Sequence, residues 1–286
     1  MFANRINTGL LFTCILLFYL GFTQNHTFSV IGVPFVIALA ALFVMSPQVN
    51  WWYYNRNPPP LDVKLRNFIS QYSTFYQELS LEGKQRFRDR VALFMMAHEY
   101  MPMAVKTVPE DIKGIVAANA VHLTFGLPDY LMEKFEKIVI YPTPFPSPQF
   151  PRQLHASESY KEDGVVILAA SHLVKGYTEP ELYYNISLHE WIRVFLQLNP
   201  SKPLPSLPEN IWQALEKISR FPKPNLEAFI GLPQADPLPV AICYYLMFPK
   251  QFQEVLPEVH TAISDLLNLN PLIADQPIVY INESMR

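Results

Sequence analysis

The sequence predicts an α+β protein in two parts. The first, residues 1–57, is a helical hairpin long enough to cross a membrane; the second, residues 58–286, is a mostly helical domain with a small β-sheet. Three observations carry this reading. Two charge-free apolar runs, residues 6–22 and 28–45, are separated by a short uncharged linker. Beyond them, apolar residues recur at three- and four-residue spacing in several stretches, the period of an amphipathic helix. Two short β-branched runs, residues 137–141 and 164–170, are bounded by Pro142 and Gly164, as strands are.

Each apolar run is close to the roughly 17–25 residues that a membrane-spanning helix needs. A signal peptide is the rival reading of the first run, with Arg5 as its charged start. No small-x-small cleavage site follows it and a second apolar run does, so the pair reads as a hairpin. Trp51, Trp52, Tyr53 and Tyr54 come next, as in an interfacial aromatic belt. Arg5 precedes the hairpin, and Arg56, Lys64 and Arg66 follow it, with no positive charge between. That asymmetry places both ends in the cytoplasm, so the expected location is the cytoplasmic (inner) membrane, multi-pass, with the C-terminal domain in the cytoplasm.

The 286 residues carry a formal net charge of −3 and show no basic stripe, which argues against nucleic acid as a partner. The two cysteines, Cys14 and Cys243, do not make a disulfide framework, and a reducing compartment fits them. The 27 prolines cluster at 58–60, 142–151, 200–208 and 233–239, marking stiff loops between helices. Pro58–Pro60 is a spacer before the second domain.

In that domain Phe68, Tyr72, Phe75, Tyr76 and Leu79 share one helical face, followed by a helix over 81–98. His98-Glu99 begins like a metal-binding pair, but Pro102 stands where a second histidine would and ends the helix. Pro109-Glu110-Asp111 opens a helix through Leu123, with proline and acids at its positive end. The strands at 137–141 and 164–170 flank the Pro-rich loop. Residues 171–176 read as a short helical turn or loop, and 179–197 as one helix. Helices are also expected at 209–220, from 239 to 247 and within 251–267, with a terminal strand at 278–281. His122 is expected to be partly buried and hydrogen-bonded, His260 to lie at the surface, and Tyr183, Tyr184, Tyr244 and Tyr245 to line core and groove.

The helix over 179–197 carries the chemistry. Asn185-Ile-Ser-Leu-His-Glu-Trp-Ile-Arg contains His189-Glu190, the opening of His-Glu-x-x-His. Two histidines four apart lie on one helical face and reach one zinc, while the intervening glutamate acts as base on metal-bound water. Here Arg193 holds the second histidine's place, and a guanidinium has no lone pair to give.

Several segments resemble, in order, the MtfA-type zinc-dependent peptidases, which are gluzincin-like. They are Leu81-Glu-Gly-Lys-Gln-Arg-Phe-Arg-Asp-Arg-Val91, residues 115–127 (Ile-Val-Ala-Ala-Asn-Ala-Val-His-Leu-Thr-Phe-Gly-Leu), residues 137–145 (Lys-Ile-Val-Ile-Tyr-Pro-Thr-Pro-Phe), Gly164-Val-Val-Ile-Leu168 and residues 185–190. The resemblance spans roughly 78–270 and implies a zincin-like fold. It further implies that His189 is a retained zinc-ligand position, Glu190 the general-base position, Arg193 the second-ligand position and Cys243 the third. Catalytic zinc needs three protein ligands and a water, so two of three positions have changed type. Arg193, three residues after Glu190, is expected to pair with it in the metal's stead.

Two readings of function follow. One is a membrane-anchored pseudopeptidase that binds a peptide or protein partner, with no cofactor. The other is an active metallopeptidase with a rearranged zinc site, in which Cys243 and a loop histidine, His155 or His172, complete the shell. Cys243 beside His189 as a nucleophilic pair, and Asp236 two turns before Cys243 on its face, are further candidates.

Overall fold

The computed structural model describes residues 2–273, so the strand expected at 278–281 lies outside the described residues. The chain forms two compact units, Met1–Pro59 and Pro60–Arg286.

The first unit is helical. Helices α1 (Phe2–Thr23) and α2 (Thr27–Val44) pack antiparallel on each other, and both are long and apolar enough to cross a membrane. Their approach is close: a Cβ on Gly21 would come within 1.9 Å of Ser29 Oγ, so no larger side chain fits there. Outside that seam the apolar side chains are exposed, Phe22 by 92% and Phe12 by 68%, as lipid-facing residues are. Pro34 sits within α2. The aromatic segment is itself helical, α3 (Ser46–Arg56). It is held to the start of α1 by Phe2 stacked on Tyr53 at 3.9 Å and by the Ala3 N–H donating to Asn50 Oδ1 at 2.8 Å.

The second unit is mostly helical around a small mixed sheet. Its first predicted helix is two, α4 (Val63–Tyr72) and α5 (Thr74–Glu78), because the Ser73 hydroxyl accepts from Tyr76 N–H and starts a new turn. Ser80 caps α6 (Leu81–Ala97) in the same way. His98 ends that helix and Glu99 enters strand β1 (Glu99–Pro102). Helix α7 (Glu110–Leu123) is buried along its whole length from Gly114. Strands β2 (Lys137–Tyr141), β3 (Ser157–Tyr160) and β4 (Val165–Ala169) complete a sheet of order β1-β2-β4-β3. β1–β2 and β2–β4 are parallel; β3 runs antiparallel to β4 with Glu158 opposite Ile167 and forms one edge.

Of the short helical turn or loop expected at 171–176, the helical reading holds, as α8 (Ala170–Thr178), and the expected single helix over 179–197 is instead α9 (Ile186–Leu198). The intervening residues 179–185 are not helical. Asn185 is the reason: its side chain accepts from Leu188 N–H at 3.0 Å and so fixes the helix start. The remaining helices are α10 (Ile211–Ser219), α11 (Lys223–Ile230), α12 (Pro237–Met247), α13 (Pro249–Val255) and α14 (Pro257–Leu267). Gly231 follows α11 with φ +87°, the left-handed C-terminal residue that glycine adopts at least cost. His260, expected at the surface, is 4% exposed against the Tyr245 ring, because α14 turns that face inward. His122 is buried as expected, stacked on Phe75, but its Nε2 has no hydrogen-bond partner among the described residues.

Candidate functional site

Helix α9 is apolar on nearly every side. Ile186, Leu188, Trp191, Ile192 and Val194 are fully buried, and Trp191 packs edge-on to Phe94 at 5.3 Å. Such a helix is placed by its neighbours. Asn185 ties it to α7 by donating from Nδ2 to Asn119 Oδ1 at 3.0 Å. Gly176 of α8 lets the preceding turn pass close, since a Cβ there would lie 2.3 Å from the Tyr184 carbonyl oxygen. α12 packs on the same helix and brings Cys243 to it.

His189, Glu190 and Arg193 therefore sit on a rigid element. Glu190 is fully buried, and Arg193 Nη1 donates to both of its oxygens, at 3.1 and 3.3 Å. The pairing expected from the three-residue spacing is present. A carboxylate out of contact with solvent requires a partner, and the guanidinium, charged at any working pH, supplies it.

His189 is held from the other side. The Tyr184 hydroxyl and His189 Nδ1 are 2.7 Å apart, and the two rings meet edge to face. Burial lowers the His189 pKa to about 4; Glu190 and the nearby Asp236 oppose that shift, and Arg193 adds to it. The ring is neutral near pH 7. Burial pushes the Cys243 thiol up to about 12, with a hydrogen bond to Tyr184 acting the other way, so it is a neutral thiol. Its Sγ also lies 4.0 Å from the Asn185 carbonyl oxygen. Tyr184 is itself raised well above the usual tyrosine value by burial and by Cys243 and Tyr244.

Tyr184 is buried in the core, as expected, and in addition joins His189 to Cys243, a role the sequence reading did not assign to it. Its position directly before the Asn185 cap is the only sequence cue, and that cue becomes informative once the helix is known to begin there. Asp236 caps α12 by accepting from Leu238 N–H at 3.0 Å. The loop histidines are engaged elsewhere. His155 Nε2 bonds Glu158 at 3.1 Å, and His172 lies 3.2 Å from Ser171 Oγ and against the Phe229 ring.

These residues do not fit zinc. A zinc ion needs three or four lone-pair donors converging in a tetrahedral arrangement. Of the three positions considered, His189 has a donor nitrogen and Cys243 a sulfur, but Arg193 brings a cation with no lone pair, which leaves two donors where zinc needs at least three. Among the described residues, no three His, Cys, Asp or Glu side chains gather closely enough to hold a metal ion. Glu190 has no access to solvent from which to take a water proton, as a general base must.

No curated protein matches the chain. A family model does match, that of the glucose-regulated metallo-peptidase M90, over residues 49–199. This is just over half of the chain. It includes α7, the whole sheet and α9 with His189, Glu190 and Arg193, and stops short of Cys243. By sequence and by the helix it keeps at the centre of its core, the chain belongs to the glucose-regulated metallo-peptidase M90 family.

Proposed function

We propose that this member of a metallopeptidase family is a membrane-anchored, non-catalytic binding protein: a pseudopeptidase whose C-terminal domain faces the cytoplasm and holds a peptide or protein partner. The observation that carries the reading is the Glu190–Arg193 ion pair at the second-ligand position. It occupies the general-base carboxylate and places a fixed cation where a metal ligand would stand. The bonding of His189 to Tyr184 supports the same reading. Edge strand β3, packed against α9 and paired on one side by β4, offers a main-chain edge to which an extended peptide could add. The two apolar helices and the charge asymmetry around them support the anchor and its orientation.

The test is the metal content of the full chain purified in detergent. We expect no retained zinc and no peptide hydrolysis, with Glu190→Gln unchanged in both. One tightly held zinc per chain, with hydrolysis lost in Glu190→Gln, would establish the rearranged active peptidase instead. A C-terminal reporter that fluoresces only in the cytoplasm checks the orientation, and a dark reporter on a folded chain would reverse it.

A further inference from the structure

We infer that Arg193 has turned the former metal position into a carboxylate-binding site, taking the carboxylate of a peptide at its C-terminus or on an acidic side chain. This rests on the reading of the domain as a non-catalytic peptide binder and adds what the bound segment must carry.

The geometry of the ion pair is the starting point. A guanidinium has five N–H donors and meets a carboxylate best as a fork, two nitrogens to two oxygens. Arg193 does not use its fork on Glu190. One nitrogen, Nη1, serves both carboxylate oxygens. Nη2 and Nε make no hydrogen bond to any of the described residues. Glu190 is 0% exposed while the Arg193 side chain is 37% exposed, so the pair has one member inside and one that reaches solvent. An arginine bridging an internal and an external carboxylate satisfies both sets of donors.

The surrounding charges permit an anion. Glu190 is already engaged by Arg193. Asp236 is the remaining acid near His189; it is exposed to water, and its carboxylate is already engaged by Leu238 N–H. Solvent screening weakens its repulsion, whereas a ligand resting on Arg193 meets a cation whose own counter-ion lies behind it. His189 and Arg193 stand one helical turn apart on one face, so both border the same position.

The experiment uses the full chain in detergent micelles and fluorescence anisotropy with three random octapeptide pools carrying a neutral dye. The first lacks Asp and Glu and has a free C-terminal carboxylate. The second is the same pool amidated. The third is amidated and contains Glu. Binding of the first or third pool, but not the second, is expected, and which of the two binds tells a chain end from an acidic side chain. Arg193→Lys keeps a cation against Glu190 but loses the fork, and should weaken the binding about tenfold. Glu190→Gln with Arg193→Gln removes both charges together and should abolish discrimination between free and amidated peptides while the melting temperature is retained. Equal binding of all pools, absence of binding by every pool, or discrimination that survives the double substitution overturns the inference. Zinc in the purified protein would instead overturn the non-catalytic reading, whatever the peptides do.

Discussion

Among the described residues of this domain two carboxylates are buried, and each is bonded to a residue three positions away. Glu190 meets Arg193 on α9, and Glu158 on β3 meets His155 at the end of the Pro-rich loop, both at 3.1 Å. The partners differ in kind. Arg193 carries its charge unconditionally, and both Glu190 oxygens are bonded. His155 carries charge only when protonated; its other nitrogen faces the Gln153 carbonyl at 3.3 Å, and Glu158 Oε1 has no partner among the described residues. The α9 acid thus has both oxygens held by a guanidinium, whereas the β3 acid has one oxygen bonded, to an imidazole.

The sharpest way to break this contrast is Arg193→Met. It leaves Glu190 buried and unpaired and should cost about 3–5 kcal/mol, read as a drop in thermal stability. Adding Glu190→Gln should recover most of it. If the single substitution melts like the wild type, the pair does not hold a buried charge.

Next in size is the response to acid. Burial lowers the folded pKa of His98 to about 4, of His122 to about 3 and of His189 to about 4. The folded chain therefore binds fewer protons than the unfolded chain below pH 6.5, and unfolding takes protons up. Stability is complete above that value and falls as pH drops toward 4. The three together should remove about 3 kcal/mol between pH 6.5 and 5.5. The same slope should persist in the Glu190→Gln, Arg193→Met double variant; a changed slope would tie the α9 pair to the titration.

His155→Leu removes the conditional partner of Glu158. A loss of about 1–3 kcal/mol is expected, with faster proteolysis inside residues 143–154, since the ring also packs on Phe145 and Phe150. Unchanged cleavage would mean that other contacts hold the loop. The smallest effect should be Tyr184→Phe, which deletes the hydroxyl shared by His189 and Cys243 and should cost about 1 kcal/mol. The His189 ring resonances in a nuclear magnetic resonance spectrum should shift with it.

Features written locally were legible in the sequence, and features set by pairing were not. The hairpin announced itself as two charge-free apolar runs about a short linker, and β2 and β4 because β-branched residues bounded by proline or glycine leave little else. β3 reads Ser-Glu-Ser-Tyr, a poor strand by composition, and owes its conformation to its register with β4. β1 looked only like the end of α6, because Pro102 masks a four-residue strand on an edge, where proline is tolerated. α11 was missed between Pro222 and Gly231 for want of length. At the site, His189, Glu190 and Arg193 follow from helical spacing. Tyr184 does not, since its contact with Cys243 joins residues far apart in sequence and depends on where α9 starts.

The complete burial of Glu190 also limits what position 193 can hold. A histidine there would set two imidazoles on one helical face, but it would take the guanidinium away from an acid shut off from water. The substitution would weaken the fold whatever chemistry it offered. As long as Glu190 stays a carboxylate, the two positions can change only together.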